Sequence, residues 1–382
     1  MWTLRERGNR LLKLLDKYAG IPLVAALGAF RKKRLFDERS LQSHDPRFLL
    51  LKTAAIGDTV LLSAMVREIK HRCPGASITL VASKGNFPMA AMLNGIDTVV
   101  TFDMSAPFRS LKAIAKLKKS DFLLDFAPWA RINSLIAYVA DADVKVGFKR
   151  KHAYRHYVFD IAVEHSDDMH ELDNYRNLLR HIQLAPEGYL PALVVEKSAL
   201  KRVEPLLGAG RPNVVFHPFP GGYRKHLKEW PLDNWIEAGR QLIRGGCRIF
   251  ISGGRDDVEA AAGIKQELDR DDDQCMVLCG NFSLAETAAI LYKSSLLITV
   301  NTGIMHMGAA LGVDMIALHG PTSPLRWGPV GNKAVVLKPK ADCAPCISLG
   351  YEYGCSRGGC MKTIKIEDVL RQADVILMKA GA

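Results

Sequence analysis

The stretch Leu296 to Pro324, LLITVNTGIMHMGAALGVDMIALHGPTSP, constrains the fold most. Leu296 to Val300 is an apolar run of the buried-strand kind. Asn301-Thr302-Gly303 is a tight turn, Ile304 to Leu311 a short packed helix, and Val313 to Leu318 a second strand ending at Gly320-Pro321-Thr322-Ser323-Pro324. This strand, helix and strand predict a βαβ unit and therefore a parallel sheet. The first N–H groups of a helix lack partners within it, and the helix dipole is positive there. A Thr hydroxyl and a side-chain-free Gly at that end let a phosphate come close. The plainer reading of Thr or Asn in this position is an ordinary N-cap.

The pattern recurs along the chain. Phe48 to Thr53 is a buried-type strand, Ala54 to Asp58 a turn, Thr59 to Arg72 a helix, and Ser77 to Ala82 another strand. Thr98 to Phe102 and Phe122 to Phe126 read as further strands, with a helix over Leu111 to Lys118. A second series begins with the strand Asn213 to His217, and strands and helices alternate from there into the Leu296 stretch. With 382 residues and 48% hydrophobic content, the chain has enough core for two such domains. The expected division is an extension at 1–45, one Rossmann-like domain at 46–195, and a second at 196–382 containing a cysteine-rich segment at 343–360. Neither a G-x-G-x-x-G nor a Walker A pattern follows the Phe48 strand, which argues against a dinucleotide or P-loop site there.

The net charge of +12 implies an acidic partner: nucleic acid, an anionic membrane surface or a phosphorylated substrate. Cations are concentrated in two places. In the first 45 residues, Arg and Lys alternate with Leu, and an apolar run, Ala19 to Phe30, precedes Arg31-Lys32-Lys33-Arg34. Pro22 interrupts that run, and it is too short to span a membrane, which takes ~20 residues. An interfacial helix pair lying on anionic lipid fits, as does a helical extension packed on the protein's own body. The second place is Lys145 to Asp160, where Lys149, Arg150, Lys151 and Arg155 alternate with His and Tyr. This suits an anionic sugar-phosphate acceptor, single-stranded nucleic acid, or simply a solvated loop.

Asp58 follows Gly57 at a helix start and beyond a strand's carboxyl end, where α/β sheets bind ligands; an N-cap role is the alternative. Cys343, Cys346, Cys355 and Cys360 have a spacing that four thiolates around zinc or iron can adopt, and reduced, unliganded thiols are equally compatible with it.

The motifs K-T-x-x-x-G-D at Lys52 to Asp58, K-x-W-P at Lys228 to Pro231, Gly253-Gly254, N-T-G-x-x-H at Asn301 to His306 and G-P-T-x-P at Gly320 to Pro324 occur in this order. Together they resemble glycosyltransferase family 9, the heptosyltransferase group of lipopolysaccharide core synthesis. The resemblance covers Arg47 to the C-terminus. It implies the GT-B fold, two Rossmann-like domains facing across a cleft. It also implies an inverting, metal-independent transfer of heptose from a nucleotide-sugar, typically ADP-heptose, to a lipid-linked saccharide.

Carried over by motif, Asp58 would be the general base. Lys228, Thr302 and Gly303 would hold the diphosphate, and His306 would line the same pocket. Asn301, where many members have Asp, would meet the sugar, and Asp256 and Glu259 the ribose. The implied location is the cytoplasmic face of the inner membrane, peripheral on anionic lipid, with no nucleic acid partner. A related branch that modifies autotransporter proteins carries a metal-binding cysteine finger, so a protein acceptor is one alternative. A basic nucleic-acid-binding protein with a zinc module is another, and a fold-matched nucleotide-sugar epimerase a third.

Overall fold

The computed structural model describes residues 16–34, 45–151, 153–207, 210–222, 225–269, 274–347, 355 and 358–381. The chain divides into two compact units, 1–191 and 192–382.

Unit 1 contains α1 (Ile21–Ala29), β1 (Arg47–Leu51), α2 (Ile56–Arg72), β2 (Ser77–Ser83), α3 (Phe87–Ala90), β3 (Thr98–Phe102), α4 (Pro107–Ile114), β4 (Ser120–Asp125), α5 (Arg131–Val139), β5 (Ala142–Lys149), β6 (Ile161–Glu164) and α6 (Glu171–Arg180). Its six parallel strands lie in the order β3-β2-β1-β4-β5-β6. Phe48, Leu49, Leu50 and Leu51 of β1 are all buried, as a central parallel strand covered on both faces requires.

Unit 2 contains α7 (Lys197–Val203), β7 (Asn213–His217), α8 (Leu232–Arg244), β8 (Arg248–Ile251), α9 (Val258–Leu268), β9 (Cys275–Val277), α10 (Leu284–Tyr292), β10 (Leu296–Val300), α11 (Gly303–Ala310), β11 (Met315–Leu318), α12 (Pro324–Trp327), β12 (Ala334–Leu337) and α13 (Ile366–Gly381). Its strand order, β12-β11-β10-β7-β8-β9, is again parallel throughout. The predicted βαβ unit is β10-α11-β11. Helix α11 packs closely on this sheet because Gly308 has no side chain: a Cβ there would lie 2.5 Å from Leu297 Cδ2.

In each sheet the strand order reverses once, between β1 and β4 in unit 1 and between β7 and β10 in unit 2. The carboxyl ends beside such a reversal are where open α/β sheets take ligands. Lys52 and Phe126 stand at one, His217 and Asn301 at the other.

The extension expected at 1–45 is described for residues 16–34 and 45. That part packs on unit 1: Val24 is buried, and Arg31 Nη2 lies 2.6 Å from the Asp160 carboxylate. Among the described residues, no helix is long and apolar enough to cross a membrane.

Candidate active site

In unit 1 the site is built on a buried lysine. Lys52 follows β1 and is almost wholly enclosed. Its ammonium has three N–H donors and three acceptors: Asp58 Oδ2 at 2.9 Å, the Phe126 carbonyl at 2.9 Å and the Tyr175 hydroxyl at 2.6 Å. A buried charge is tolerated when it is saturated in this way. The turn between Lys52 and Asp58 is held at several points. Ala55 sits at φ 65°, an uncommon conformation for a residue with a Cβ, and its carbonyl accepts from Thr59 N and Thr59 Oγ1. Asn86 donates to the Lys52 carbonyl and to Thr59 Oγ1, each at 2.8 Å. Asp58 is thereby fixed in the first turn of α2 with its side chain 21% exposed.

The basic stretch is divided by the fold. Lys149 ends β5 and pairs with Glu164, and Lys151 is exposed. Arg150 is held by Asp167 Oδ1 at 2.6 Å and Asp167 Oδ2 at 3.1 Å, by His165 Nδ1 at 3.2 Å, and by the Trp129 ring at 4.1 Å from its centroid. Arg155 corrects the expectation of a surface acceptor contact. It is fully buried, with its guanidinium on the Asp125 carboxylate and over the Phe159 ring. Reading Lys145 to Asp160 as one solvated patch missed that β5 runs through Lys149 and that Arg155–Val158 folds back as a 3₁₀ turn.

In unit 2, Thr302 is the N-cap of α11 in an extended conformation, with no side-chain bond to the helix. Its hydroxyl oxygen is buried and meets no hydrogen-bond partner among the described residues. Such an oxygen carries a cost unless something pairs with it. His306 is buried one turn further along α11. The Asn301 amide donates to Thr322 Oγ1 at 3.0 Å and lies 3.2 Å from His319 Nδ1. His217 Nδ1 is 2.8 Å from Ser252 Oγ. Burial pushes His217 and His319 down to about 4, so both rings are neutral near pH 7.

Lys228 closes the 3₁₀ turn Lys225–Lys228, and its ammonium donates to the Gly221 carbonyl at 2.8 Å. The adjacent Trp230 explains the K-x-W-P motif. Its indole N–H donates to the Ile364 carbonyl at 2.9 Å, and its ring meets Trp235 edge-on, which anchors the lysine loop to the core. Asp256 and Glu259 are exposed; the carboxylate that engages the glycine turn is that of Asp257, which accepts from Gly254 N at 2.8 Å.

Residues 112–356, which take in strands of both sheets, match the model of glycosyltransferase family 9 (heptosyltransferase). The chain belongs to that family. This family 9 chain is a glycosyltransferase. It is 23% identical over 310 residues to the lipooligosaccharide heptosyltransferase 2 of Haemophilus influenzae, covering 76% of this chain and 88% of that one. Its fold matches the Escherichia coli ADP-heptose lipopolysaccharide heptosyltransferase II with a TM-score of 0.73 at 21% identity, over 88% of this chain and 100% of that one. The iron-containing dodecameric glycosyltransferase TibC of enterotoxigenic E. coli shares the fold at a TM-score of 0.54 and 11% identity, over 88% and 77% of the two chains.

In this family 9 chain the four cysteines whose spacing suits a four-thiol centre interact with one another: Cys343 and Cys355 act electrostatically on both Cys346 and Cys360. Cys343 is exposed, Cys346 and Cys355 are half-buried, and Cys360 is buried. Among the described residues, no three His, Cys, Asp or Glu side chains are grouped to hold a metal ion. Burial pushes the Cys346 thiol up, and the neighbouring Cys355 and Cys343 add to the effect. Residues 348–354 and 356–357 of the segment lie outside the described residues.

Sequence reasoning passed over Lys52 as a site residue, although it opens the K-T-x-x-x-G-D motif. His217 and His319 were also missed. Their signal is positional: each directly ends or follows a strand, β7 or β11, that borders the sheet reversal or its neighbour.

Proposed function

We propose that the protein transfers heptose from ADP-heptose to a lipopolysaccharide core acceptor with inversion at the anomeric carbon. The observation that carries this reading is the Asp58 carboxylate held by buried Lys52 at the β1–β4 reversal. Asp58 takes the proton of the acceptor hydroxyl as that oxygen bonds to the anomeric carbon, and the bond from that carbon to the diphosphate oxygen breaks. ADP leaves with the electron pair. Thr302 and the N–H groups that open α11 receive the diphosphate, and Lys228 neutralises it. Asn301 meets the sugar, and the carboxylates near the Gly253-Gly254 turn are candidates for the ribose. The likeness to the E. coli ADP-heptose heptosyltransferase II supports this donor, and that to the Haemophilus lipooligosaccharide heptosyltransferase supports a saccharide acceptor. This reading puts the reaction at the cytoplasmic face of the inner membrane, peripheral on anionic lipid.

The test is a thermal-shift panel with ADP, UDP, GDP, CDP and dTDP, followed by acceptor-dependent ADP release from ADP-heptose. A ligand that binds only the folded state raises its melting temperature. A shift with ADP and not the others is expected. A shift with another nucleotide would overturn the donor, and ADP release unaffected by a core saccharide would overturn the acceptor.

A further inference from the structure

One helix of unit 1 breaks the usual rule for a surface helix. The outward side of α1 carries Pro22, Leu23, Ala26 and Ala29, followed by Phe30, all exposed and none polar. Leu23 is 45% exposed and Phe30 86%. A surface helix normally turns a charged or polar side to water. The inward side of α1 is firmly seated. Val24 is fully buried, and Gly28 presses on Tyr157 so closely that a Cβ would lie 2.3 Å from the tyrosine Cβ. Just past the helix, Asp160 accepts from Arg31 Nη2 at 2.6 Å and from Arg34 N at 2.7 Å. The apolar side is therefore held outward by the fold.

A second element presents the same chemistry. Phe108 in the first turn of α4 is 86% exposed, and Met104 just before the helix is 49% exposed. Both α1 and α4 pack on α5, so they lie on one face of the sheet. The sequence around these apolar groups is mostly cationic, and Asp103 beside Met104 is paired with Lys84. Tyr18 to Arg34 contains four Lys or Arg, Pro107 to Lys119 contains five, and neither stretch contains Asp or Glu. Arg31 and Arg34 are committed to Asp160 and Asp143, and Lys119 to Asp143. Lys32, Lys33, Arg109, Lys112 and Lys116 stay exposed.

We propose that this face of unit 1, built from α1 and α4, docks on an anionic lipid bilayer. Phe30, Leu23 and Phe108 enter the interface between headgroups and acyl chains, and the surrounding lysines and Arg109 meet the anionic headgroups. A nucleic acid would match the cations but leave the aliphatic side of α1 against water or phosphate. A second copy of the same face would oppose like charges. The inference deepens the proposed function by naming a surface, and rests on it only for the lipid-linked character of the acceptor.

The experiment is co-sedimentation of the full chain with two kinds of vesicle. One is pure phosphatidylcholine, and the other is an equimolar mixture of phosphatidylcholine and phosphatidylglycerol. Binding to the mixed vesicles alone, weakened by high salt, is expected. The pair Phe30→Ser with Phe108→Ser, and separately Lys112→Glu with Lys116→Glu, should each lower binding about ten-fold or more. All four side chains are exposed, so the melting temperature and the ADP-induced shift should stay as in the parent protein. No binding to the mixed vesicles, or binding that neither pair weakens, would overturn the proposal. Self-association lost in the phenylalanine pair, without vesicle binding, would assign the face to a second copy. An intact ADP shift in any of these cases leaves the transferase reading standing.

Discussion

The Lys52 ammonium lies 2.9 Å from the Asp58 carboxylate, and its other two acceptors come from β4's end and from α6. A residue just past β1 thus ties the candidate base to two other elements. Asp58→Asn should lower kcat by about a thousand-fold, within the range a general base supplies, while ADP still raises the melting temperature. Retained turnover would remove Asp58 from the proton transfer. Lys52→Met should act differently. It strips Asp58, the Phe126 carbonyl and the Tyr175 hydroxyl of their shared donor, and should cost about 3 kcal/mol in urea unfolding.

Thr302 gives a cleaner separation of binding from stability. Its hydroxyl oxygen is buried and meets no partner among the described residues, so the nearly isosteric Thr302→Val breaks no hydrogen bond seen there. Stability should be unchanged or slightly higher, while ADP affinity falls about ten-fold, the worth of one hydrogen bond to a charged group. Calorimetric titration with ADP reads the second quantity, and unaltered affinity would detach Thr302 from the diphosphate.

Arg150 is oriented through a chain of buried groups. Glu171, fully buried, lies 3.0 Å from His165 Nε2, and His165 Nδ1 faces the Arg150 guanidinium. The carboxylate fixes the proton on Nε2, which leaves Nδ1 to accept from Arg150. His165→Phe should raise KM for an anionic acceptor several-fold with KM for the donor unchanged. Arg150→Lys should do the same, because lysine cannot hold the two-oxygen grip. A parallel rise in both KM values would mean that the relay only supports the fold.

What the sequence showed depended on how local the cause was. The turn at Asn301 and the K-T-x-x-x-G-D stretch were legible because strand, turn and helix follow one another directly. The Leu111 to Lys118 helix was placed four residues late, since Pro107 at its first turn starts it earlier than the apolar spacing suggests. Arg155 read as a surface cation because its partner Asp125 lies on another strand, out of reach of any local pattern. The same holds for His217 and His319, whose neutrality comes from burial that only the assembled sheet provides.

Those two histidines make a pH prediction with a definite direction. In the folded protein each is held down to about 4 by burial, against an ordinary value of 6.5. Between these values the unfolded chain takes up protons that the folded chain refuses, so stability falls as pH drops from about 6.5 toward 4. Above that window both states carry neutral rings, and the contribution is constant. Each histidine accounts for up to about 3 kcal/mol across the window. Urea unfolding in steps from about pH 7.5 to about pH 4.5 should show the loss. His217→Asn keeps a group able to meet Ser252 Oγ but cannot take up a proton, and should remove about half of the slope. If the variant and parent curves run parallel, His217 does not titrate on unfolding, and its place beside the β7–β10 reversal has no linkage to stability.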